Sequence, residues 1–217
     1  GAESERDEIF VKSLEKKYGV EVLIKRFGTE KYAAENKLSI QVAARNLRYY
    51  WFNEIITAES ARFILTAHHA SDNVETLLMN FFKGTGINGL KAILPKYGKI
   101  IRPLLFAKKE ELLAFTKAQK LDFVEDSSNA SDKYTRNYFR NELIPGVQKV
   151  FPHVSENLAH NIERFREIDM LYKESVSQYK KKLLVQKGNE IHIPVLKLLK
   201  TGPLHTVVYE IIKDFGF

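Results

Sequence analysis

The segment "HHASDNVET" (68–76) sets two imidazoles and two carboxylates at the joint between an apolar run and an apolar helical pattern. Side chains alternate along a strand, so the adjacent His68 and His69 cannot both enter one core. Asp72 and Glu75 fall in the first turn of the following helix, where free N–H groups and the helix dipole favour ionised carboxylates. Ionised there, they can hold a cationic substrate at neutral pH. The same Asp-x-x-Glu spacing also fits a capping box, worth about 0.5–2 kcal/mol and carrying no chemistry. A metal centre would need more ligands than His-His-Asp, and the chain contains no cysteine, so no metal ligand is assigned.

Three further stretches carry groups suited to anions. In "KGTGINGL" (83–90), Lys83 is followed by Gly84 and Gly86. Glycine permits the positive φ and close backbone approach of a phosphate cradle, and serves equally well as a helix stop. In "AARNLRYYWF" (43–52), Arg45 and Arg48 share one helical stripe, facing either a phosphate or solvent. In "DKYTRNYFRNELIP" (132–145), Lys133, Arg136 and Arg140 interleave with Tyr134, Tyr138 and Phe139. Arg136 and Arg140 share an i,i+4 face, so both could meet phosphates while the aromatic rings pack inward or stack on a base. An ordinary amphipathic helix with snorkelling cations has the same pattern.

The elements that must position these groups follow from periodicity. A helix capped by Ser4 and stopped at Gly19 precedes a strand, "VEVLIKRF" (20–27). Ser39 caps a second helix (40–56), which leads to the short strand "RFILTA" (62–67) and a third helix from Asp72 to Gly84. That alternation predicts an α/β fold with a parallel sheet covered by helices. Ligands in such sheets collect beyond the carboxyl ends of the strands, which is where His68 and His69 fall. Further on, "KIIRPLL" (99–105) is a short strand or an extended segment, and "KKEELLAFTKAQK" (108–120) is an amphipathic helix. "YFRNELIPGVQKV" (138–150) is helical until Pro145 disturbs it. One long helix (152–184), a short strand (190–193) and a last helix (203–217) complete the chain. A doubly wound fold usually opens with a strand, so an upstream strand before Gly1 is expected, as is continuation beyond Phe217.

Bulk composition narrows the class. The chain has 217 residues, 44% hydrophobic and 28% charged, typical of a globular protein. With no cysteine, disulfides are excluded and a reducing compartment is favoured. There is no signal segment and no membrane-spanning run, so a cytoplasmic location is expected. The net charge of +7 is concentrated in the second half, where residues 96–217 carry 21 basic against 15 acidic side chains. That excess suits a polyanionic partner such as nucleic acid, or a lysine-rich solvated surface.

Taken together, "AARNLRYYWF", "HHASDNVET", "KGTGINGL", "IIRPLL" and "EDSSNASDKYTRNYFRNELIP" resemble the bacterial tRNA(Ile)-lysidine synthetases. These are PP-loop enzymes of the N-type ATP pyrophosphatase superfamily. The resemblance runs from Gly1 to about Pro152, with every block in order. It implies an adenine nucleotide alpha hydrolase-like catalytic domain (1–150), incomplete at its N-terminus, and a helical region (151–217) leading toward a C-terminal tRNA-binding domain. The implied cofactors are ATP and Mg²⁺. The implied partners are free L-lysine and the isoleucine tRNA with a CAU anticodon, with no membrane and with room for a homodimer. ATP would adenylate the carbonyl oxygen at carbon 2 of the wobble cytidine, and the lysine ε-amine would then displace AMP to give lysidine.

The same resemblance implies roles. Asp72 and Glu75 would orient lysine, with Arg48 beside them at the catalytic centre. Arg45, His68, His69, Gly84 and Gly86 would bind nucleotide, and Lys83, Arg102, Lys133, Arg136, Asn137 and Arg140 would meet tRNA. The pattern departs in one place: the family's Ser-Gly-Gly-x-Asp-Ser loop is absent from these 217 residues, so this polypeptide alone is expected not to turn over ATP. A PP-loop tRNA thiolase is a rival reading, weakened by the absence of cysteine. A non-catalytic tRNA-binding fragment is another.

Overall fold

A computed structural model describes residues 2–124 and 135–216. Helix α1 (Ala2–Tyr18) is followed by α2 (Thr29–Glu35) and α3 (Ile40–Ala58), and then by strand β1 (Ile64–Leu65). Helices α4 (Ala70–Lys83) and α5 (Ile87–Leu90) lead to the hairpin β2 (Lys96–Tyr97) and β3 (Ile100–Ile101). Next come α6 (Lys109–Ala118), α7 (Thr135–Tyr138), a π-helical turn (Phe139–Leu143) and α8 (Ile144–Gln148). The 30-residue α9 (Val154–Leu183) precedes the hairpin β4 (Val185–Lys187) and β5 (Glu190–His192), then α10 (Val195–Leu199) and α11 (Leu204–Lys213).

The first sheet has the order β1-β3-β2. β1 and β3 are parallel, with Ile64 opposite Ile100, and β2 is antiparallel to β3. The described residues therefore form one parallel pair with an antiparallel edge, where the sequence predicts a broader parallel sheet. The predicted strand 20–27 forms no ladder. A strand is defined by its neighbour, and none of the described strands lies beside this segment, which leaves Val20, Leu23 and Ile24 exposed. For the same reason β1 shrinks from the predicted 62–67 to two residues, with Leu65 65% exposed.

Local chemistry explains most element ends. Ser39 caps α3 as predicted, its hydroxyl accepting from the Val42 N–H at 3.3 Å. Ser4, by contrast, lies inside α1, which already runs from Ala2. α4 begins two residues before the predicted start, so Asp72 is its third residue rather than its cap. Near Pro145 the helix does not break but widens: the Ile144 N–H reaches back five residues to the Phe139 carbonyl. Proline offers no N–H to the carbonyl four residues back, and the wider turn accommodates that loss.

The long helix α9 packs against α4, α5, α8 and α11. Val74 and Leu77 of α4 and Ile162 of α9 are buried, Ile162 completely. Farther along α9, Leu183 joins Val207 and Ile211 of α11 in a second cluster, bordered by Tyr179, Leu184, Ile193 and Leu198. Among the described residues, no helix is long and apolar enough to cross a membrane.

Candidate functional site

The first two turns of α4 direct two carboxylates into the protein, Asp72 in the first turn and Glu75 in the second. Asp72 Oδ2 accepts from the His69 N–H at 3.0 Å, which closes the helix start. The capping partner of Asp72 is thus His69, which corrects the Asp72–Glu75 box expected from spacing. Glu75 lies one turn on and is only 1% exposed. Arg140 grips it with two hydrogen bonds, Nε to Oε1 at 2.6 Å and Nη2 to Oε2 at 3.0 Å. The same Nη2 donates to Asp72 Oδ1 at 3.2 Å. Burial opposes the Arg140 charge, but the hydrogen bonds and charge of Glu75, with Asp72, outweigh it and hold the guanidinium above its ordinary pKa. Arg136 adds a second cation, with Nε 3.6 Å from Glu75 Oε2 and Nη2 donating to Thr76 Oγ1 at 3.0 Å.

A cavity of about 390 Å³ opens on one side of this ion-pair network, lined by Arg45, His68, Thr76, Lys91, Arg102 and Arg136 among others. Its side chains are cationic or neutral, with no carboxylate among the lining residues. Arg102 follows β3, is only 8% exposed, and donates from Nη1 to the Leu94 carbonyl at 2.7 Å. Its Nε is buried without a hydrogen-bond partner, an unusual cost for a cation unless an anion supplies the acceptor. The chemistry of this donor set fits a polyphosphate or a nucleic-acid backbone.

His68 shows what those charges do. Its Nδ1 lies 3.0 Å from Thr66 Oγ1. Burial pushes its pKa down, Asp72 pulls it up, and Arg102, Arg136 and Arg45 push it down further, leaving it below the ordinary histidine value. His68 is therefore expected to be neutral at pH 7 and to resist protonation as the pH drops below about 6.5. Because the unfolded chain takes up that proton first, the group costs stability as pH falls through that range. An anion in the cavity reverses the electrostatic term. Histidine NMR titration is thus expected to give a low pKa for His68 that rises with added ATP, and a value that ATP leaves unmoved would separate His68 from the anion site.

A second cavity, about 640 Å³, lies on the other side of the network. Glu75 and Arg140 line it, together with Ser71, Lys108 and Glu110 near the start of α6, and Glu156 and His160 of α9. It carries both signs of charge, unlike the first. The two cavities therefore share one partition, built from Glu75 and Thr76 of α4 and the Arg136–Arg140 stripe.

Other predicted residues are placed differently. His69 Nε2 lies 3.6 Å from Asp72 Oδ2, and its Nδ1 is buried without a partner. Arg45 lines the first cavity and stacks on Tyr49 at 5.0 Å, whereas Arg48, one turn on, is exposed and lines neither cavity. Arg102 is buried in the cavity wall, not displayed on a surface. Asn137 is buried and Lys83 is exposed. Gly84 ends α4 with φ +78°, and neither it nor Gly86 lines either cavity. In α5, a Cβ on Gly89 would come within 2.1 Å of the Thr85 hydroxyl, so a side chain there would require Thr85 to move. Lys133 lies outside the described residues. Among the described residues there is no group of three or more His, Cys, Asp or Glu suited to a metal ion.

The wall formed by residues 91–94 carries functional groups that sequence reasoning missed. Lys91 is buried, Asn73 Oδ1 accepts from the Ile93 N–H at 2.8 Å, and Arg166 of α9 donates to the Ile93 carbonyl at 2.6 Å. No periodicity marks a lysine that turns inward, so the sequence offers no signal for it.

Residues 1–147 match the family model described as the PP-loop domain. The chain belongs to the PP-loop family. This PP-loop chain is also similar along its entire length to two proteins named tRNA(Ile)-lysidine synthase. One, from Bacteroides thetaiotaomicron, is 38% identical over 217 residues, and the other, from Parabacteroides distasonis, is 36% identical over the same length. A third, from Thermosipho africanus, is 38% identical over 175 residues, or 81% of the chain. The PP-loop chain spans about half the length of these curated relatives, covering 50%, 49% and 41% of them respectively.

Proposed function

We propose that this chain carries the catalytic centre of an ATP-dependent tRNA-modifying ligase that joins lysine to carbon 2 of the wobble cytidine in tRNA(Ile) with a CAU anticodon, in the cytoplasm. The observation that carries the reading is the partition. Buried carboxylates suited to an amine stand between an arginine-lined cavity suited to phosphate and a second cavity of mixed charge. The names of the relatives point to the same chemistry.

In this reading Arg45 and Arg102 hold ATP phosphates and then the adenylated cytidine, whose developing negative charge they meet with fixed donors, while Arg136 meets a tRNA phosphate. His68 lines that pocket as a neutral group. Lysine enters through the second cavity, and its ε-ammonium is drawn to Asp72 and Glu75. Arg140 occupies those carboxylates now, so the incoming amine shares or displaces a guanidinium already seated there. Loss of a proton frees the amine lone pair to attack carbon 2, and AMP leaves with the activated oxygen. Holding the amine across a partition keeps it from the nucleotide until the two are aligned, which is where the rate gain of orientation arises. Mg²⁺ would accompany ATP, and it is assigned to none of these residues. Residues 1–150 form the catalytic unit in this reading, and residues 151–217 the approach to a tRNA-binding region.

Mass spectrometry of tRNA(Ile) after incubation with ATP, lysine and the full-length gene product tests the proposal. A mass gain equal to one lysine less water is the expected result. A gain of sulfur would identify a thiolase, and no change would leave a tRNA-binding protein.

Arg136 and Arg140 separate in their expected effects. Arg136 is 39% exposed at its side chain and lines the anionic-ligand cavity, whereas two carboxylates compensate Arg140. Arg136→Ala is therefore expected to flatten the salt dependence of tRNA binding by about one phosphate contact. Arg140→Ala is expected to leave that slope unchanged while lowering the melting temperature. Equal slopes for both variants and the wild type would remove Arg136 from the tRNA interface.

A further inference from the structure

Beside the arginines, the first cavity has one more cation whose charge is spoken for by a different part of the fold. Lys91 lines the cavity, yet its ammonium lies 2.7 Å from Asp169 Oδ2 of α9, with side chains only 9% and 6% exposed. The same oxygen receives Lys173 at 2.8 Å, a lysine whose side chain is 64% exposed. Asp169 Oδ1 is buried and accepts nothing. Two ammonium groups thus share one oxygen of one carboxylate, leaving the cluster with a net positive charge. Burial raises the Asp169 pKa, but the hydrogen bonds of Lys173 and Lys91 outweigh it and keep the group ionised.

We propose that Lys91 is an auxiliary anion-binding residue of the arginine-lined cavity, held in reserve by Asp169 and released to the ligand because Lys173 remains behind as the counter-ion. The proposal rests on the reading of that cavity as the polyphosphate site. The backbone around Lys91 is pinned on both sides, while its ammonium is held by the single contact to Asp169. Ala92 has a left-handed φ of +49°, Ile93 is hydrogen bonded through both its N–H and its carbonyl, and the Leu94 carbonyl accepts from Arg102. A lysine with a fixed base, a flexible four-carbon stem and three donors can pass from one oxygen acceptor to another. Its departure strands no buried charge, since Lys173 already touches the oxygen it leaves.

A purely structural tie between α9 and the wall makes the opposite prediction. If Asp169 only braces Lys91, removing its charge weakens the cavity or leaves it unaffected. If Asp169 competes with the ligand for Lys91, removing its charge strengthens anion binding even as it lowers the melting temperature. ATP titration by calorimetry, with His68 followed by NMR as a reporter of the cavity, reads both quantities. Lys91→Met is expected to weaken ATP about tenfold, the size of one lost charge-assisted hydrogen bond. Asp169→Asn is expected to tighten ATP about threefold or more in the wild-type background, and by less than about twofold in the Lys91→Met background, because the two positions act as one unit.

Lys173→Met, at an exposed position that folding tolerates, is expected to weaken ATP by removing the replacement counter-ion. Asp169→Asn binding that is weaker than or equal to wild type overturns the proposal. So does tightening that is the same with and without Lys91, which would be a general field effect. Wild-type protein that binds no ATP, or binds it without moving His68, overturns the cavity reading itself, a result distinct from a failure of the variants alone.

Discussion

Replacing Glu75 by alanine is expected to destabilise the protein by about 3–5 kcal/mol, the cost of stripping a buried ion pair of one partner. Glu75 is 1% exposed and receives both Nε and Nη2 of Arg140. Without it, the guanidinium of Arg140 loses both hydrogen bonds to Glu75 and retains the 3.2 Å contact to Asp72. The loss should appear as a lower denaturation midpoint with an unchanged slope. A double variant lacking both Glu75 and Arg140 is expected to recover much of that stability, because both partners of the buried pair are then removed together. If Glu75→Ala cost less than about 1 kcal/mol, the level of an exposed pair, the partition would be a solvated surface feature and the separation of the two cavities would fail.

The second large effect belongs to Asp72, and it divides stability from chemistry. Its structural duties are the 3.0 Å hydrogen bond from the His69 N–H at the helix start and the 3.2 Å contact from Arg140, which also keeps Glu75, so Asp72→Ala is expected to cost about 0.5–2 kcal/mol, the size of a lost cap. Its proposed duty is to hold the lysine amine, and misplacing a reacting group by an ångström costs about a hundredfold in rate. Lysidine formation by the full-length gene product is therefore expected to fall at least about a hundredfold, with near-normal melting and normal ATP binding. Lysidine formation within a few fold of wild type would show that the carboxylate caps a helix and nothing more.

How much of this could be foreseen varied with the kind of signal. Ser39 as a cap, the helical stretches around Asp72 and residues 154–183, and the joint after "FILTA" were legible because periodicity and capping are local properties. The segment 20–27 misled because strand propensity describes a residue's preference, while a ladder needs a neighbour. Arg140 was readable as a cation on a helical face, but whether it met a phosphate or Glu75, 65 residues earlier, depends on a tertiary contact that no spacing encodes. Lys91 and Asp169 were invisible for the same reason: 78 positions separate them, and either residue alone looks like ordinary solvated charge. For Arg102 the resemblance implied a tRNA contact, and its burial in a cavity wall after β3 is a tertiary feature that its local sequence does not mark.

A crystal structure of the protein with bound L-lysine tests the central claim most directly. The expected map shows the side-chain ammonium within hydrogen-bonding distance of an Asp72 or Glu75 carboxylate oxygen, with the amino-acid end in the cavity lined by Lys108 and His160 and with Arg140 shifted from its present contacts. Lysine bound away from both carboxylates, with Arg140 still seated on Glu75, would contradict it.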